Sequence, residues 1–186
     1  RSEAGHGVLA AGRTGRDFAT FGLASSRVGS PARIYCLDTA RTSNFANFAP
    51  NVQVHTPGPG RAFSYPEMMQ AHQNAQVIGI PLATSEDSLA GLTSLVDALA
   101  LGKPVIMTRN PFIDLDIEAR GIGRWVAPGD VEGWEAAIKW FKQNPDEGLA
   151  MGRRARALVD DQGYNSLFFA AQIEKLLRNI SIAPAQ

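Results

Sequence analysis

The sequence of 186 residues has little of what would assign a protein to a class at once. It contains one cysteine, Cys36, so no disulfide can form within the chain, and we expect a reducing compartment, the cytoplasm. Its 18 basic and 18 acidic residues cancel and form no long run of one sign, which disfavours nucleic acid and anionic membranes as partners. No apolar run approaches the roughly 20 residues of a membrane-spanning helix, so we expect no transmembrane segment.

Familiar catalytic and nucleotide-binding motifs are missing too. Gly12 and Gly15 stand in GRTG, which is not the G-x-G-x-x-G fingerprint, and this disfavours a nicotinamide or flavin dehydrogenase. The sequence has neither a G-x-x-x-x-G-K-[ST] phosphate loop nor a G-x-S-x-G nucleophile elbow. The histidines lie at no spacing typical of a metal site, so we expect no metal ligands among His6, His55 and His72.

What the sequence does have is a regular alternation of short apolar runs and helical patterns. The apolar runs predict strands over residues 8–11, 34–37, 52–55, 77–80, 104–107 and 125–126. The helical patterns predict helices over about 17–25, 64–74, 91–101, 130–143, 146–160 and 166–178. Short strands buried on both faces and separated by helices predict an α/β fold, a doubly wound parallel sheet of Rossmann-like type. We expect residues 1–186 to form a single domain.

The most informative segment is TSEDSLAGLTSLVDALALGKPVIMT, residues 84–108. Apolar residues recur at helical spacing from Leu92 to Leu99, and a Gly-Lys-Pro turn then leads into a buried strand. The first turn of this helix has backbone N–H groups without partners inside the helix and the positive end of the helix dipole, so it favours a phosphate. Gly91 removes a side chain that would keep a ligand away from this backbone.

Polar side chains near the predicted strand ends suggest what would bind there. In doubly wound sheets ligands bind at the carboxyl ends of the strands, where the strand order reverses. Arg13 and Arg16 directly follow the first strand, and their guanidinium groups suit a diphosphate held against a helix amino end. Alternatively, Arg16 pairs with Asp17 or lies in solvent. Asp97, in an otherwise apolar helix, either accepts hydrogen bonds from a pair of ligand hydroxyls or is a surface carboxylate.

Three segments together resemble the carboxy-terminal half of GT-B glycosyltransferases of the family 4 type, the glycosyl transferases group 1. These segments are VLAAGRTGRDF, GLTSLVDALALGKPVIMTRN and GIGRWVAPGDVEGWEAAIKWF. The most specific part is DALALGKPVIMT, similar to the family's E-A-M-A-x-G-K-P-V-I-x-T, and VAPGD is similar to its V-x-P-x-D. The match runs from Val8 to about Leu177 in the family's order.

The resemblance implies a domain that binds a nucleotide diphosphate sugar as the donor substrate, without a cofactor or metal. A sugar, lipid or protein acceptor would be held by an amino-terminal domain absent from this chain, so we expect the isolated domain to be inactive. Transfer would retain the configuration at the anomeric carbon. The catalytic residues would be Arg13, Arg16 and Asp97. The two arginines would stabilise the departing nucleoside diphosphate as negative charge develops on it.

The remaining site residues also follow from the resemblance. Gly12 would let the donor approach the first strand, and the N–H groups of Leu92 and Thr93, following Gly91, would bind phosphate oxygens. Asp97 would take the role of the second glutamate of the family's E-x7-E motif and accept hydrogen bonds from the ribose. We expect base selectivity to depend on residues 55–60.

The sequence departs from the family pattern at two positions. Asp97 is one methylene shorter than glutamate, and Leu89 stands where the family has its first glutamate; Glu86 or Asp87 would serve instead if the loop is folded differently. Two alternatives stay open, the first of them suggested by these departures. One is a module that binds a nucleotide sugar or nucleotide without turnover. The other is a sugar-nucleotide epimerase, which shares the two-domain architecture.

Overall fold

The computed structural model describes residues 6–13, 15–36, 45, 47–58, 60–83, 89–161, 163 and 166–181. This part of the chain forms six strands: β1 (Val8–Gly12), β2 (Ala32–Cys36), β3 (Val52–His55), β4 (Val77–Ile80), β5 (Val105–Thr108) and β6 (Gly123–Val126). It also forms six helices: α1 (Phe18–Val28), α2 (Tyr65–Gln73), α3 (Leu92–Ala100), α4 (Val131–Gln143), α5 (Pro145–Asp161) and α6 (Ser166–Ser181).

The strands form one parallel sheet in the order β3-β2-β1-β4-β5-β6. The chain moves outward from β1 to β3 on one side and then crosses to β4 on the other, so the order reverses between β1 and β4. The predicted α/β fold, a doubly wound Rossmann-like sheet, is therefore confirmed. Of the predicted elements, Leu37 at the end of the second strand lies outside the described residues, as does most of the loop that follows it.

Helices cover both faces of the sheet because the strands are apolar on both faces. On one face Phe21 of α1 and Trp134 of α4 pack edge to face, with ring centroids 5.4 Å apart. On the other face Leu95 and Leu99 of α3 pack in a cluster with Met107 of β5. The helices thus fix the loops at the carboxyl edge of the sheet from above and below.

Three of the helices begin at side-chain caps. Ser64 and Glu67 form a capping box at the start of α2, in which the Ser64 backbone N–H donates to Glu67 Oε2 at 2.7 Å. The Asp130 carboxylate accepts a hydrogen bond from Gly133 N–H at 2.8 Å and caps α4. Asp17 caps α1 in the same way, through Thr20 N–H at 3.0 Å.

The carboxy-terminal helix α6 differs from the others in its exposure. It is amphipathic, yet large apolar side chains lie on the surface; examples are Leu167, Phe169 and Leu176. Within the described residues, no helix combines the length and the apolar character needed to cross a membrane.

Candidate functional site

The loops after β1 and β4 are joined to each other at the point where the strand order reverses. Ala83 N–H donates to the Gly15 carbonyl at 2.9 Å, and Asp17 N–H donates to the Pro81 carbonyl at 3.2 Å. Arg16 and Leu82 form an isolated antiparallel bridge between these bonds. The carboxyl ends of two strands that are distant in sequence are thereby held together, and the arginine is fixed at the crevice.

Arg16 lies between β1 and the first turn of α3. Its Nε donates to the Ala11 carbonyl at 3.1 Å, and its Nη2 donates to Ser94 Oγ at 2.9 Å. A Cβ atom on Gly12 would collide with this guanidinium, and Gly12 has φ 142°, so the glycine makes room for the arginine. Burial lowers the pKa of Arg16 from its usual value, but an arginine remains charged at any physiological pH.

The predicted solvent-facing or Asp17-paired position of Arg16 is not what the structure has. The Asp17 carboxylate accepts a hydrogen bond from Thr20 N–H, and Arg16 is partly buried against α3. Arg13, by contrast, is exposed, one residue beyond β1. Of the two predicted guanidinium groups, one is therefore fixed in place and the other lies at the rim of the crevice.

The amino end of α3 carries backbone donors but no side-chain cap within the described residues. Leu92 N–H donates to the Leu89 carbonyl at 3.1 Å, whereas Thr93 and Ser94 N–H have no hydrogen-bond partner in the described part of the chain. The donors available to an anion are thus those of Thr93 and Ser94, one residue further along than the predicted pair of Leu92 and Thr93.

Gly91 is buried and has a packing role at the start of α3. Its φ of 88° lies in the left-handed region. A Cβ atom there would come within 2.8 Å of Met107 Cε and 3.0 Å of Ile80 Cγ2. Glycine is therefore required by the buried contacts beneath the helix end, whether or not a ligand approaches.

Asp97 lies three residues after Ser94 and so on the same side of α3. Its Oδ1 accepts a hydrogen bond from the Tyr65 hydroxyl at 3.0 Å, and this bond is the main reason that the pKa of Tyr65 is raised. Tyr65 is the first residue of α2, so the contact joins α2 to α3. Asp97 is half-buried and bonded, more than the plain surface carboxylate that the sequence left open.

Aromatic rings lie beyond Tyr65, at the ends of β2 and β3. Tyr35 and His55 stack with centroids 4.6 Å apart, and Phe63 meets Tyr35 edge to face at 5.2 Å. A cavity of about 250 Å³ next to them is lined by Thr56, Pro57, Gly58, Arg61, Ala62, Phe63 and Glu67. This cavity includes part of the segment 55–60 in which the sequence placed base recognition.

His55 is unusual in this group because its Nε2 atom is buried without a hydrogen-bond partner among the described residues. Burial, reinforced by the nearby positive charge of Arg33, lowers the pKa of His55. The imidazole therefore stays neutral at lower pH than a free histidine, and it can accept or donate one hydrogen bond.

On the opposite side of the crevice, β5 supplies the supports. Leu82 N–H donates to Thr108 Oγ1 at 3.0 Å, and Asn110 Nδ2 donates to the Ala90 carbonyl at 3.1 Å. Asn110 also accepts from Phe112 N–H through Oδ1 at 3.0 Å, which shapes the loop after β5. These two side chains hold the chain on either side of the segment 84–88, where Glu86 and Asp87 lie outside the described residues.

The structure thus brings Gly12, Arg16, Gly91, Thr93 and Asp97 into one crevice. Three contributors had no role assigned from the sequence, namely Ser94, Tyr65 and Asn110. Ser94 could have been found from its i, i+3 spacing to Asp97, but the positions of the other two depend on how α2 and β5 pack. Across the described residues, no cluster of three or more His, Cys, Asp or Glu side chains is suited to a metal ion.

Positive charge lies at the first turn of α3, and the Asp97 carboxylate lies one turn further along the helix. The Arg16 guanidinium lies at the first turn of α3, where the helix dipole is also positive. An anion bound there would meet the guanidinium and the backbone N–H groups of the helix end together. The arrangement is therefore suited to bind a phosphate or diphosphate.

Comparison with known proteins gives information at the level of the fold. The sequence matches no protein-family model and no curated protein sequence. Among solved structures, it is similar to sucrose-phosphate synthase from Thermosynechococcus elongatus, with 17% identity and a TM-score of 0.76 over 99% of this chain and 47% of that one. It is also similar to HepE from Anabaena in complex with UDP and glucose, with 13% identity and a TM-score of 0.69 over 95% and 49% of the two chains.

A third structure corresponds to a single domain. It is the C-terminal domain of a glycosyl transferase group 1 family protein from Francisella tularensis, with 16% identity and a TM-score of 0.64 over 84% of this chain and 85% of that one. The chain spans about half the length of the two larger proteins. The fold of this chain is that of the carboxy-terminal domain of GT-B glycosyltransferases.

Proposed function

We propose that this chain is the donor-binding domain of a glycosyltransferase, which transfers a sugar from a nucleotide diphosphate sugar to an acceptor. The observation that carries the proposal is the Arg16 guanidinium held by Ser94 Oγ at the uncapped start of α3, where the strand order reverses. The similar structures support it, since HepE was solved with UDP and glucose. The acceptor and an amino-terminal acceptor domain, the family 4 type and a cytoplasmic location are part of this proposal.

The diphosphate would lie between Arg16 and the N–H groups of Thr93 and Ser94, with Arg13 closing over it from the rim. Charge-assisted hydrogen bonds of this kind are the strong ones. The ribose would reach Asp97, one turn further along α3, and the base would enter the cavity beside Phe63. Asp97 would exchange its bond to the Tyr65 hydroxyl for bonds to the ribose.

The chemical contribution of the domain would be electrostatic. As the bond between the sugar and the diphosphate breaks, negative charge grows on the leaving group, and Arg13, Arg16 and the α3 amino end stabilise it more than they stabilise the ground state. The two arginines, together with Asp97 on the ribose, would be the catalytic residues of this half. Retention of configuration at the anomeric carbon belongs to the proposal, and the anomeric proton signals of the product would test it.

The test is titration calorimetry with UDP, GDP and ADP. We expect at least one of them to bind, and Arg13→Ala combined with Arg16→Ala to abolish the heat of binding. Each single charged contact contributes about 1.5–3 kcal/mol, so Arg13→Met alone should weaken binding by about ten- to a hundredfold. Arg13 is the cleaner position, because the structure gives its side chain no hydrogen bond or ion pair within the described residues.

A matched control is Arg27→Met. Arg27 is an exposed arginine at the carboxyl end of α1, 3.9 Å from Glu135 and away from the crevice. It should leave binding unchanged, and thermal melts of every variant would separate lost affinity from lost folding. Unchanged affinity in the Arg13 and Arg16 variants would reject the diphosphate site.

A second candidate is a module that binds a nucleotide sugar without turnover. It is favoured by Leu89, which is exposed where the family has a glutamate, and by the engagement of Asp97 with Tyr65. Release of nucleoside diphosphate from a panel of sugar nucleotides, measured on the full-length parent protein with candidate acceptors, separates the two. Binding without release on any acceptor would favour the module.

A further inference from the structure

A second concave site lies beside the nucleotide crevice, at the ends of β5 and β6. We name it the β5–β6 groove; its volume is about 460 Å³, within the usual range for small-molecule sites. Asn110 is in its wall and also holds the Ala90 carbonyl in front of α3, so the groove adjoins the proposed diphosphate site. The residues that matter in it are Arg109, Asn110, Ile113, Asp114, Asp116 and Trp125.

The aromatic ring of the groove is held in a fixed orientation. Trp125 Nε1 donates to Asp116 Oδ1 at 3.1 Å, and the Trp125 backbone N–H donates to Glu118 Oε1 at 3.0 Å. The guanidinium carbon of Arg109 lies 5.1 Å from the centre of the Trp125 ring. A preorganised ring with an adjacent charged group needs little reordering on binding a ligand.

The polar groups around the ring include donors and acceptors that remain available. Asp116 Oδ1 accepts from the N–H groups of Glu118 and Ala119 and from Trp125, and these bonds lower the pKa of Asp116. The second carboxylate oxygen of Asp116, Oδ2, has no hydrogen bond recorded among the described residues. Asp114 is exposed with no hydrogen bond recorded among the described residues. The Arg109 guanidinium contacts the Trp125 ring and its charge acts on Asp116, and no side-chain hydrogen bond of Arg109 is recorded in the described part of the chain.

We propose that the β5–β6 groove binds a neutral saccharide, separate from the sugar of the nucleotide donor. A hydroxyl both donates and accepts, so a polyol uses the carboxylates of Asp114 and Asp116 together with the guanidinium of Arg109. A cationic ligand would meet Arg109, and an anion would meet the two carboxylates. The apolar side of a sugar ring would pack on Trp125 and Ile113.

This inference rests on the proposed function, because a site for a second saccharide next to the donor gives a glycosyltransferase domain a contact with the glycan it extends. From the resemblance, the acceptor is expected to contact the amino-terminal domain alone, whereas the groove would give it a second contact on this domain. The groove opens at the same edge of the sheet as the diphosphate site, since both lie at the carboxyl ends of parallel strands.

The experiment is a titration of the ¹⁵N-labelled chain with the methyl α-glycosides of glucose, galactose, mannose and N-acetylglucosamine. The reporter is the indole N–H signal of Trp125, assigned by its loss in Trp125→Phe. We expect at least one glycoside to shift this signal to saturation. Asp114→Asn and Arg109→Met should each weaken binding by about two- to tenfold, the usual range for one hydrogen bond.

The chain offers a matched control in its other arginine–tryptophan pair. The guanidinium of Arg124 lies 4.0 Å from the centre of the Trp140 ring, outside the groove. Arg124→Met should leave the titration unchanged. The proposal is overturned if no glycoside shifts the Trp125 signal, if Arg124→Met weakens binding as much as Arg109→Met, or if arginine methyl ester or sulfate shifts it in place of the sugars.

Two nucleotide titrations separate this proposal from the proposed function. UDP should shift the amide signals of Thr93 and Ser94; if it does while every glycoside leaves Trp125 unmoved, the groove proposal fails and the nucleotide site stands. If UDP-glucose shifts Trp125 while UDP and methyl glucoside do not, the groove holds the sugar of the donor and the separate site is refuted.

Discussion

The helices α2 and α3 begin at the same edge of the sheet, but their first turns are built in opposite ways. In α2, Ser64 and Glu67 satisfy backbone donors reciprocally and place a carboxylate at the positive end of the helix. In α3, the capping position is Gly91 without a side-chain bond among the described residues, and the neighbouring charge is the guanidinium of Arg16. The amino end of α2 therefore has a side-chain cap, whereas the amino end of α3 has uncapped backbone N–H groups beside a positive charge, which suits an anion.

The energetic difference between these two ends is modest in the free protein. A carboxylate at a helix amino end stabilises by about 0.3–1 kcal/mol, and a cation there is unfavourable by a similar amount. Charge-assisted bonds from a diphosphate to Arg16 and the α3 backbone contribute more than this. An anion would therefore gain more at the start of α3 than at the start of α2, where the Glu67 carboxylate already lies.

The largest expected effect is a loss of stability when Gly91, at the start of α3, is substituted. Gly91→Ala places a Cβ atom 2.8 Å from Met107 Cε and keeps the left-handed backbone at φ 88°. Strain of this kind costs about 1–3 kcal/mol, which chemical denaturation without nucleotide would measure as a loss of unfolding free energy. Gly58→Ala is the control, because a Cβ atom there meets open space. If the two variants have equal unfolding free energies, glycine at position 91 is not needed for stability, and its role would be limited to ligand binding.

The next effect is on nucleotide affinity, at Asp97. Asp97→Asn should weaken UDP binding by about tenfold, or 1.4 kcal/mol, because a charged acceptor of the ribose hydroxyls is lost. The same change should hardly affect 2′,3′-dideoxy-UDP, which has no hydroxyl to offer. Tyr65→Phe is a useful companion, since it removes the competing donor and should not weaken UDP. If Asp97→Asn weakens both nucleotides alike, Asp97 does not bind the ribose.

The contrast between the two helices also shows which parts of this molecule can be predicted from sequence. The capping box of α2 is local: Ser64 and Glu67 are three residues apart, so the sequence alone indicates the bond between them. The order of strands and helices follows from periodicity in the same local way. The position of Arg16 against Ser94, 78 residues apart, depends on how β1 and β4 pair in the sheet.

Two residues show that belonging to a sequence motif and lying at the site are different properties. Lys103, of the Gly-Lys-Pro turn within the most specific part of the resemblance, is buried at the opposite edge of the sheet, where its Nζ donates to the Ala75 carbonyl at 2.9 Å. Its place in a motif therefore does not put it at the site. Tyr65 carried no signal in the sequence, because its bond to Asp97 requires the packing of α2 beside α3.

A smaller effect on stability should distinguish Ser64 at the start of α2 from Ser94 at the start of α3. Ser64→Ala should cost about 1 kcal/mol, the usual loss for a helix cap, and the cost should be the same with and without UDP. Ser94→Ala should cost more in the presence of saturating UDP than in its absence, because this serine holds Arg16 in place for the ligand. Denaturation curves with and without the nucleotide provide the measurement. A ligand-dependent cost at Ser64 would show that α2 takes part in the phosphate site.

The smallest expected effect is on the pH dependence of stability, through His72 near the carboxyl end of α2. His72 is buried, its Nδ1 lies 2.6 Å from the Met68 carbonyl oxygen, and burial lowers the pKa of His72, with the nearby Asp97 acting in the opposite direction. Because the unfolded state takes up a proton near pH 6.5 and the folded state does so only at lower pH, unfolding free energy should fall as the pH drops below about 6.5. His72→Gln should flatten this part of the pH profile, while His55→Gln removes the separate contribution of the other histidine whose pKa burial lowers. A profile unchanged by His72→Gln would mean that burial does not hold His72 neutral in the folded protein.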